Sequence, residues 1–174
     1  MSTEPPRDAT GPTAPTTGVD DAAARQLRAG QIPLHELLGL DYDRPEKGAR
    51  QAEVRMPVRP EAFGFTSNLH GGAIATMVDL ACALAAARAT SFDPELESLV
   101  TADMHVRYLG RPRTDMVYAR AEVVRIGSQL IVIECKVVDD DDHLVAVADF
   151  SMMRVSLRRP LTPGVSSEPG GPEL

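Results

Sequence analysis

The chain has 174 residues, of which 43% are hydrophobic and 25% are charged, and its formal net charge at pH 7 is −7. This length suits one folded domain with short ends, and the acidic balance argues against a general nucleic-acid binder, because phosphate backbones require a basic face. The two cysteines, Cys82 and Cys135, lie in apolar runs without a CxxC pair, which predicts buried thiols in the cytoplasm rather than disulfides or a metal centre.

Both ends of the chain are predicted to be disordered. Residues 1–23 and 159–174 are rich in proline, threonine and glycine, and such segments cannot bury enough apolar surface to offset their ordering entropy. No basic start followed by an apolar stretch is present, so we expect no signal peptide. The folded domain is therefore predicted to span residues 24–158, with a first short helix near Asp20 to Ala29.

The patterns before residue 60 are short. An apolar turn or helix is predicted from Ile32 to Leu38, after which Gly39 and Leu40 lead towards a strand. Apolar and polar side chains alternate from Gln51 to Val58, which predicts a strand with one buried face. Pro60 ends this strand.

The most apolar segment runs from Ala73 to Ala89, after a glycine-containing loop from Glu61 to Gly72. Apolar residues lie on almost every side of this predicted helix, which is typical of a helix enclosed by protein. Asp79 and Arg88 interrupt the segment, and it stands alone. We therefore expect a core helix and no membrane contact.

Four longer strand candidates follow the helix. They are Leu99 to Leu109, Met116 to Ile126, Leu130 to Val138 and Leu144 to Val155. Short turns connect them, so we expect antiparallel pairing as a meander. The acidic run from Asp139 to Asp142 lacks the spacing and the glycine of an EF-hand, so it is interpreted as a solvated turn rather than a metal site.

The first of these strands alternates regularly. Val100, Ala102 and Met104 share one face with Val106 and Tyr108, opposite a polar face of Thr101, Asp103, His105 and Arg107. The default position of His105 is therefore in solvent or at an interface. One apolar helix wrapped by a curved antiparallel sheet satisfies all of these patterns, which makes the predicted fold α+β. Such a sheet leaves an edge strand, and dimerisation is one way to cover it.

Asp79 is the only acid in the apolar helix. An unpaired carboxylate in apolar surroundings costs several kcal/mol, so it is seldom placed there for stability. A catalytic base is one interpretation. A core acid bonded to a backbone or hydroxyl partner is the other, and helix composition leaves both open.

Gly71 and Gly72 come directly before the predicted helix. A helix N-terminus carries partial positive charge and free N–H donors, and glycine lets a carbonyl oxygen approach closely. These two amides are thus a candidate oxyanion hole for a thioester. An ordinary flexible helix entry is the alternative.

Geometry separates the acid from the amides. The helix rises about 10 Å from Gly72 to Asp79 at 1.5 Å per residue, so one helix cannot easily bring both to the same carbonyl carbon. Two helices packed antiparallel across a twofold axis would bring Asp79 of one chain near the glycines of the other. This predicts an obligate homodimer with two composite sites.

The combination of His70-Gly71-Gly72 with Asp79 in an apolar helix resembles the motif of hotdog-fold acyl-CoA thioesterases of the phenylacetate-degradation type. The resemblance covers residues 40–157 and implies the hotdog fold. It also implies that Asp79 is general base or nucleophile, that Gly71 or Gly72 polarises the thioester carbonyl, and that His70 shapes the loop. Thr101 matches the strand hydroxyl that places the water.

One position departs from the family pattern. Many relatives carry Asn or Gln about six residues before the histidine, where this chain has Gly64. Asn68 lies nearer to His70 and is the candidate substitute.

The resemblance also implies an acyl-CoA substrate. The CoA phosphates would need cations, and the candidates at strand ends and turns are Arg107, Arg111, Arg113 and Arg125, the last followed by Gly127 and Ser128. CoA belongs to the substrate, so we expect no cofactor and no metal. The acyl pocket is expected between the helix and the partner's sheet, and hotdog dimers often pair again as homotetramers.

Two other functions remain open. A non-catalytic acyl-CoA-binding dimer could use the same fold. A hotdog hydratase or dehydratase ranks last, because no catalytic histidine–acid pair of that kind is visible in the sequence.

Overall fold

The computed structural model describes residues 32–42, 46–90, 93 and 96–156. The chain divides into a unit of residues 1–33 and a unit of residues 34–174, and nearly all described residues belong to the second. The predicted tails, residues 1–23 and 159–174, lie outside the described residues, as does the predicted helix from Asp20 to Ala29.

The described elements follow the predicted order closely. They are helix α1 (Pro33–Leu38), strands β1 (Asp41–Tyr42) and β2 (Gln51–Pro57), a 3-10 turn (Pro60–Ala62), helix α2 (Gly71–Ala89), and strands β3 (Glu97–Tyr108), β4 (Met116–Ile126), β5 (Leu130–Asp139) and β6 (Leu144–Ser156). Every predicted strand from residue 51 onwards is present within two residues of its expected ends.

The strands form one antiparallel sheet in the order β1-β2-β4-β5-β6-β3. The predicted four-stranded meander is therefore wrong for β3, which pairs with β6 at the edge of the sheet instead of with β4. Residues 109–115 connect β3 to β4, and an extended heptapeptide reaches about 25 Å. β5 and β6 lie between β3 and β4 in the sheet, so the connection must span three strand spacings, or roughly 14 Å. Its reach is long enough, and it crosses the ends of β5 and β6.

Asp139 tethers this crossing. Its buried carboxylate accepts hydrogen bonds from the backbone N–H groups of Arg113 (2.8 Å), His143 (3.0 Å) and Asp141 (3.1 Å). Burial alone would raise the pKa of Asp139, but these three donors hold it below its ordinary value. The interpretation of the acidic run as wholly solvated is thus wrong at Asp139, which has a structural role.

Helix α2 packs against the inner face of the sheet and forms the core with it. Its buried residues are Ala73, Ile74, Met77, Val78, Ala81, Cys82, Ala85 and Ala86. Inward side chains of β2, β4, β5 and β6 meet them, with Phe150, Met56 and Ile133 among the largest. By length and composition α2 could cross a membrane, and 44% of its most apolar window is buried inside the protein, where its buried face packs on the sheet.

The opposite side of α2 is not enclosed by its own chain. A stripe of residues on this side, most of them small or apolar, remains half-buried. It consists of Ala75, Thr76, Asp79, Leu80, Ala83 and Leu84. The sequence pattern predicted a helix covered on every side. The described residues of one chain cover only half of it, so the stripe is a surface that a second molecule could cover.

Helix α1 ends at a well-defined cap. Gly39 has φ +65°, a backbone conformation that glycine adopts without steric cost. Its N–H donates to the Glu36 carbonyl at 3.0 Å, while the Arg59 guanidinium donates to the Leu37 carbonyl at 2.7 Å. Arg59 follows β2, so this contact fixes α1 against the sheet.

Candidate active site

Asp79 has one hydroxyl partner and an open side. The Thr101 hydroxyl donates a hydrogen bond to Asp79 Oδ1 at 2.7 Å, and Asp79 is half-buried on the uncovered stripe of α2. Among the described residues, Thr101 is the one hydrogen-bond partner of the Asp79 carboxylate, and the interpretations as a catalytic base and as a satisfied core acid both fit this geometry.

A β-bulge in β3 brings Thr101 to Asp79. The pairing with β6 shifts between Thr101 and Asp103, which leaves Ala102 as the extra residue. Regular alternation would place Thr101 on the outer face with Asp103. The extra residue reverses the face of the sheet on which each preceding residue of β3 lies. Thr101 therefore pairs with the buried Met152 and faces α2, while Val100 is 47% exposed.

Gly71 and Gly72 lie inside α2, which begins two residues earlier than predicted. His70 is the N-cap, and its Nδ1 accepts a hydrogen bond from the Gly72 N–H at 2.8 Å. The N–H of Gly71 has no acceptor among the described residues. Of the two predicted oxyanion donors, Gly71 is therefore the available one, and His70 orders the helix entry.

Tyr108 fixes the peptide at Gly71. Its hydroxyl donates to the Gly71 carbonyl at 3.0 Å. A Cβ atom at Gly71 would lie only 3.3 Å from Tyr108 Cζ, so the ring packs directly against this glycine. Thr101 and Tyr108 both belong to β3, so one edge strand contacts both the acid and the residue that carries the candidate oxyanion donor.

The acid and the amide of one chain do not meet. Asp79 lies eight positions after Gly71 along the helix, a rise of about 12 Å. The two candidate groups of one chain therefore cannot reach the same carbonyl carbon.

Asn68 and Gly64 belong to the turn that precedes His70. The Gly64 N–H donates to the Asn68 carbonyl at 2.8 Å, and the Asn68 amide donates to the Thr66 hydroxyl at 2.9 Å. Asn68 thus orders its own turn in the structure. A Cβ atom at Gly64 would lie 3.5 Å from His70 Cδ2, so position 64 does adjoin the motif histidine.

His35 was not among the site residues predicted from the sequence. It lies half-buried on α1, and burial lowers the pKa of His35 below its ordinary value of 6.5 while the negative charge of Asp79 acts in the opposite direction. No sequence signal identified it, because His35 is 44 positions away from Asp79 and only the packing of α1 brings the two together.

The six predicted CoA contacts lie in two groups in the structure. Arg107, Arg111 and Arg113 lie at the end of the sheet where α2 begins, and Arg107 pairs with Asp149 at 3.2 Å. The other group, Arg125, Gly127 and Ser128, is the β4–β5 turn at the opposite end. That turn needs its glycine, because a Cβ atom at Gly127 would lie 2.8 Å from the Leu130 carbonyl oxygen.

The remaining candidates have structural or solvated positions. Cys82 and Cys135 are buried free thiols, as predicted, and a hydrogen bond with Cys135, together with burial, raises the pKa of Cys82. His105 is exposed on the outer face of β3, opposite Asp149. Among the described residues, no cluster of three His, Cys, Asp or Glu side chains could hold a metal ion.

Comparison with known proteins places this arrangement in context. The family model described as Thioesterase superfamily matches residues 66–146, the stretch that contains His70, Gly71, Asp79 and Thr101. A candidate esterase of Halobacterium salinarum is 33% identical over 127 residues, which cover 71% of this chain and 82% of that protein. The 1,4-dihydroxy-2-naphthoyl-CoA hydrolase of Listeria monocytogenes is 29% identical over 117 residues, covering 66% and 89%.

The fold is shared with solved structures. The E. coli PaaI protein from the phenylacetic acid degradation operon matches with a TM-score of 0.63 and 20% identity, covering 75% of this chain and 90% of that one. The expected hotdog fold and the expected family resemblance are both confirmed.

Proposed function

Because this chain belongs to the thioesterase superfamily, we propose that it is an acyl-CoA thioesterase, which hydrolyses the thioester to a free acid and CoA. Asp79 either takes a proton from the water that attacks the carbonyl carbon, or attacks that carbon itself to form an acyl–aspartyl anhydride, which a water molecule then hydrolyses to the free acid and the restored carboxylate. The Gly71 N–H stabilises the oxyanion that forms on the carbonyl oxygen. The carbon–sulfur bond then breaks, and the CoA thiolate leaves and takes up a proton.

One observation carries this proposal. Asp79 is a carboxylate on an otherwise apolar helix face, bonded on one side to Thr101 at 2.7 Å and open on the other. A purely structural acid would be enclosed by its partners. Here Thr101 instead fixes one carboxylate oxygen, which leaves the second oxygen to meet a water or a thioester carbon.

The active form is proposed to be a homodimer with two composite sites, which a homotetramer would retain. Two uncovered surfaces support this assembly. The first is the half-buried stripe of α2 that contains Asp79. The second is the edge strand β3, where Val100 is 47% exposed and Met104 is 37% exposed. Covering both in one contact would bring Asp79 of one chain towards Gly71 of the other.

The same symmetry would unite the two arginine groups. Gly71 lies at the end of the sheet with Arg111 and Arg113, whereas Asp79 lies nearer the end with Arg125. If Gly71 of one chain meets Asp79 of the other, Arg125 of the second chain approaches Arg111 and Arg113 of the first. We propose that this combined group binds the CoA phosphates.

Solubility and location belong to the same proposal. Two free buried thiols fit a reducing compartment, and the one long apolar helix of the described residues is the core helix α2. We propose a soluble cytoplasmic enzyme that acts without a cofactor or metal and binds neither membrane nor nucleic acid.

Asp79→Asn tests the catalytic assignment. The Asn amide oxygen can still accept the Thr101 hydrogen bond, so the fold is retained, but the general base is lost. We expect kcat on acyl-CoA substrates to fall about 10²- to 10⁴-fold, measured as release of free thiol, with an unchanged circular dichroism spectrum.

Asp103→Asn is the matched control. Asp103 is an exposed carboxylate on the outer face of β3, so its loss should leave kcat unchanged. A folded Asp79→Asn protein with full hydrolysis would refute the catalytic role. Wild-type protein that binds acyl-CoAs across all chain lengths but hydrolyses none would instead support a non-catalytic binding protein.

A further inference from the structure

An apolar groove lies between α1 and the start of α2, within a single chain. It has a volume of about 380 Å³, within the range of small-ligand pockets. Its apolar wall is formed by Leu34, Leu37, Leu38, Ala62, Phe63 and Ala73. Its polar lining consists of Glu61, His70, Gly72 and Thr76.

The groove opens beside the candidate oxyanion donor. Gly72 and His70 line its rim, and the free N–H of Gly71 lies next to them in the first turn of α2. If the Gly71 N–H binds a thioester carbonyl, the acyl chain attached to that carbonyl carbon would therefore reach this groove. Thr76 contributes no free donor, since its hydroxyl already donates to the Gly72 carbonyl at 2.8 Å.

Two leucines of the groove are incompletely covered. Leu34 is 49% exposed and Leu37 is 56% exposed, on a helix that Arg59 and Gly39 hold in a fixed position. Apolar side chains that face a preformed cavity favour an apolar ligand, because binding removes their surface from water. Among the described residues that line the groove, the one carboxylate is Glu61, which pairs with Arg59 at 3.5 Å, and no lysine or arginine is present to bind the phosphates of CoA.

We propose that this groove binds the aliphatic acyl chain of a medium-length acyl-CoA. The inference rests on the proposed thioesterase function and names its substrate class. It places the acyl chain against α1 of the chain that supplies Gly71, rather than against the partner's sheet as the sequence led us to expect. The pantetheine arm then runs in the other direction, towards the arginine groups.

Substrate chain length is the first test. In the wild type, kcat/KM should rise about three- to fourfold for each added methylene until the groove is filled, since each buried CH₂ contributes about 0.8 kcal/mol. Leu37→Trp should shorten the optimal chain by several carbons. It should lower kcat/KM for decanoyl-CoA about tenfold or more and leave acetyl-CoA within about twofold.

Leu96→Trp is the matched control. Leu96 is 51% exposed and lies outside the groove, so the same substitution there should leave the chain-length profile unchanged. An equal loss for acetyl-CoA and decanoyl-CoA in Leu37→Trp would overturn the proposal.

Fluorescence gives a second test that does not depend on activity. The chain contains no tryptophan, so each variant carries a single reporter. Adding hexanoate, which is short enough for the groove that Leu37→Trp narrows, should shift the emission of Leu37→Trp, whereas CoA alone should not, and Leu96→Trp should respond to neither. A response to CoA but not to hexanoate would overturn the acyl assignment and place the pantetheine arm in the groove.

The two tests separate failure of this inference from failure of the proposed function. If Asp79→Asn abolishes hydrolysis while the Leu37→Trp profile matches the wild type, the groove assignment alone is wrong. If no acyl-CoA is hydrolysed but hexanoate shifts the Leu37→Trp emission, the enzyme proposal fails and the groove still binds an acyl chain.

Discussion

At the scale of single residues, the site depends on two hydroxyl groups of one strand. Thr101 donates to Asp79 at 2.7 Å and Tyr108 donates to the Gly71 carbonyl at 3.0 Å. The family resemblance implied a role for Thr101, whereas regular alternation of β3 placed it on the wrong face. Tyr108 was assigned to the apolar face and received no role, because a sequence does not show which peptide a side chain will reach.

Tyr108→Phe should lower kcat about 3- to 10-fold and change KM little. The variant keeps the ring that packs on Gly71 but loses a hydrogen bond of about 0.5–1.5 kcal/mol, so the oxyanion donor is less well positioned. Steady-state kinetics with decanoyl-CoA measures both constants.

Tyr118→Phe provides the comparison, because the Tyr118 hydroxyl donates to Asp140 at 2.8 Å on the exposed side of the sheet. It should leave both constants unchanged. A rise in KM at constant kcat for Tyr108→Phe would show that Tyr108 contacts the substrate instead of positioning Gly71.

At the scale of elements, α1 is the part whose place the sequence did not reveal. Its helical pattern was visible from Ile32 to Leu38, and Gly39 marked its end. Its neighbours were not visible, because Arg59 and the start of α2 are distant in sequence. Packing of this short helix creates the apolar groove and places His35 where the charge of Asp79 acts to raise its pKa.

Gly39→Ala should loosen α1 and impair hydrolysis of medium-chain substrates selectively. The residue has φ +65°, and an added Cβ atom would lie 2.8 Å from Arg59 Nη2. We expect the free energy of unfolding to fall by about 1–2 kcal/mol, measured by urea denaturation. The decanoyl-CoA kcat/KM should fall more than the acetyl-CoA value.

Gly48→Ala separates backbone strain from the loss of the groove. Gly48 has φ +93°, and an added Cβ atom would meet nothing within 4 Å. This variant should lose similar stability and keep the wild-type preference for chain length. Equal selectivity changes in both variants would show that α1 does not determine substrate length.

At the scale of the whole molecule, one chain presents two half-sites about 12 Å apart along α2. In the proposed homodimer, a second chain would cover the half-buried stripe of α2 and the edge strand β3. Nothing in a single chain brings Asp79 to Gly71, so activity should depend on assembly.

A mixed dimer tests this dependence. Gly71→Pro removes the candidate donor N–H at the first helical position, where proline is well tolerated, and His70 already has the extended conformation that precedes proline (φ −64°, ψ 135°). Gly71→Ala is its control, since it also adds a Cβ atom but keeps the N–H. Asp79→Asn and Gly71→Pro homodimers should both be inactive.

The heterodimer of these two variants, co-expressed with different tags, contains one intact composite site. It should recover about half of the wild-type activity per dimer. An inactive heterodimer, or a fully active monomer, would contradict the composite site.

The sequence alone determined the elements and the chemistry that they carry. Periodicity is local, so the strands and α2 were predicted nearly to the residue, and the motif from His70 to Asp79 indicated the family. The tertiary structure decided what depends on distant contacts: the position of β3 beside β6, the bulge that turns Thr101 towards Asp79, the use of the Gly72 N–H by His70, and the groove beneath α1. These follow from pairing and packing between segments far apart in the chain, whose energies no local pattern records.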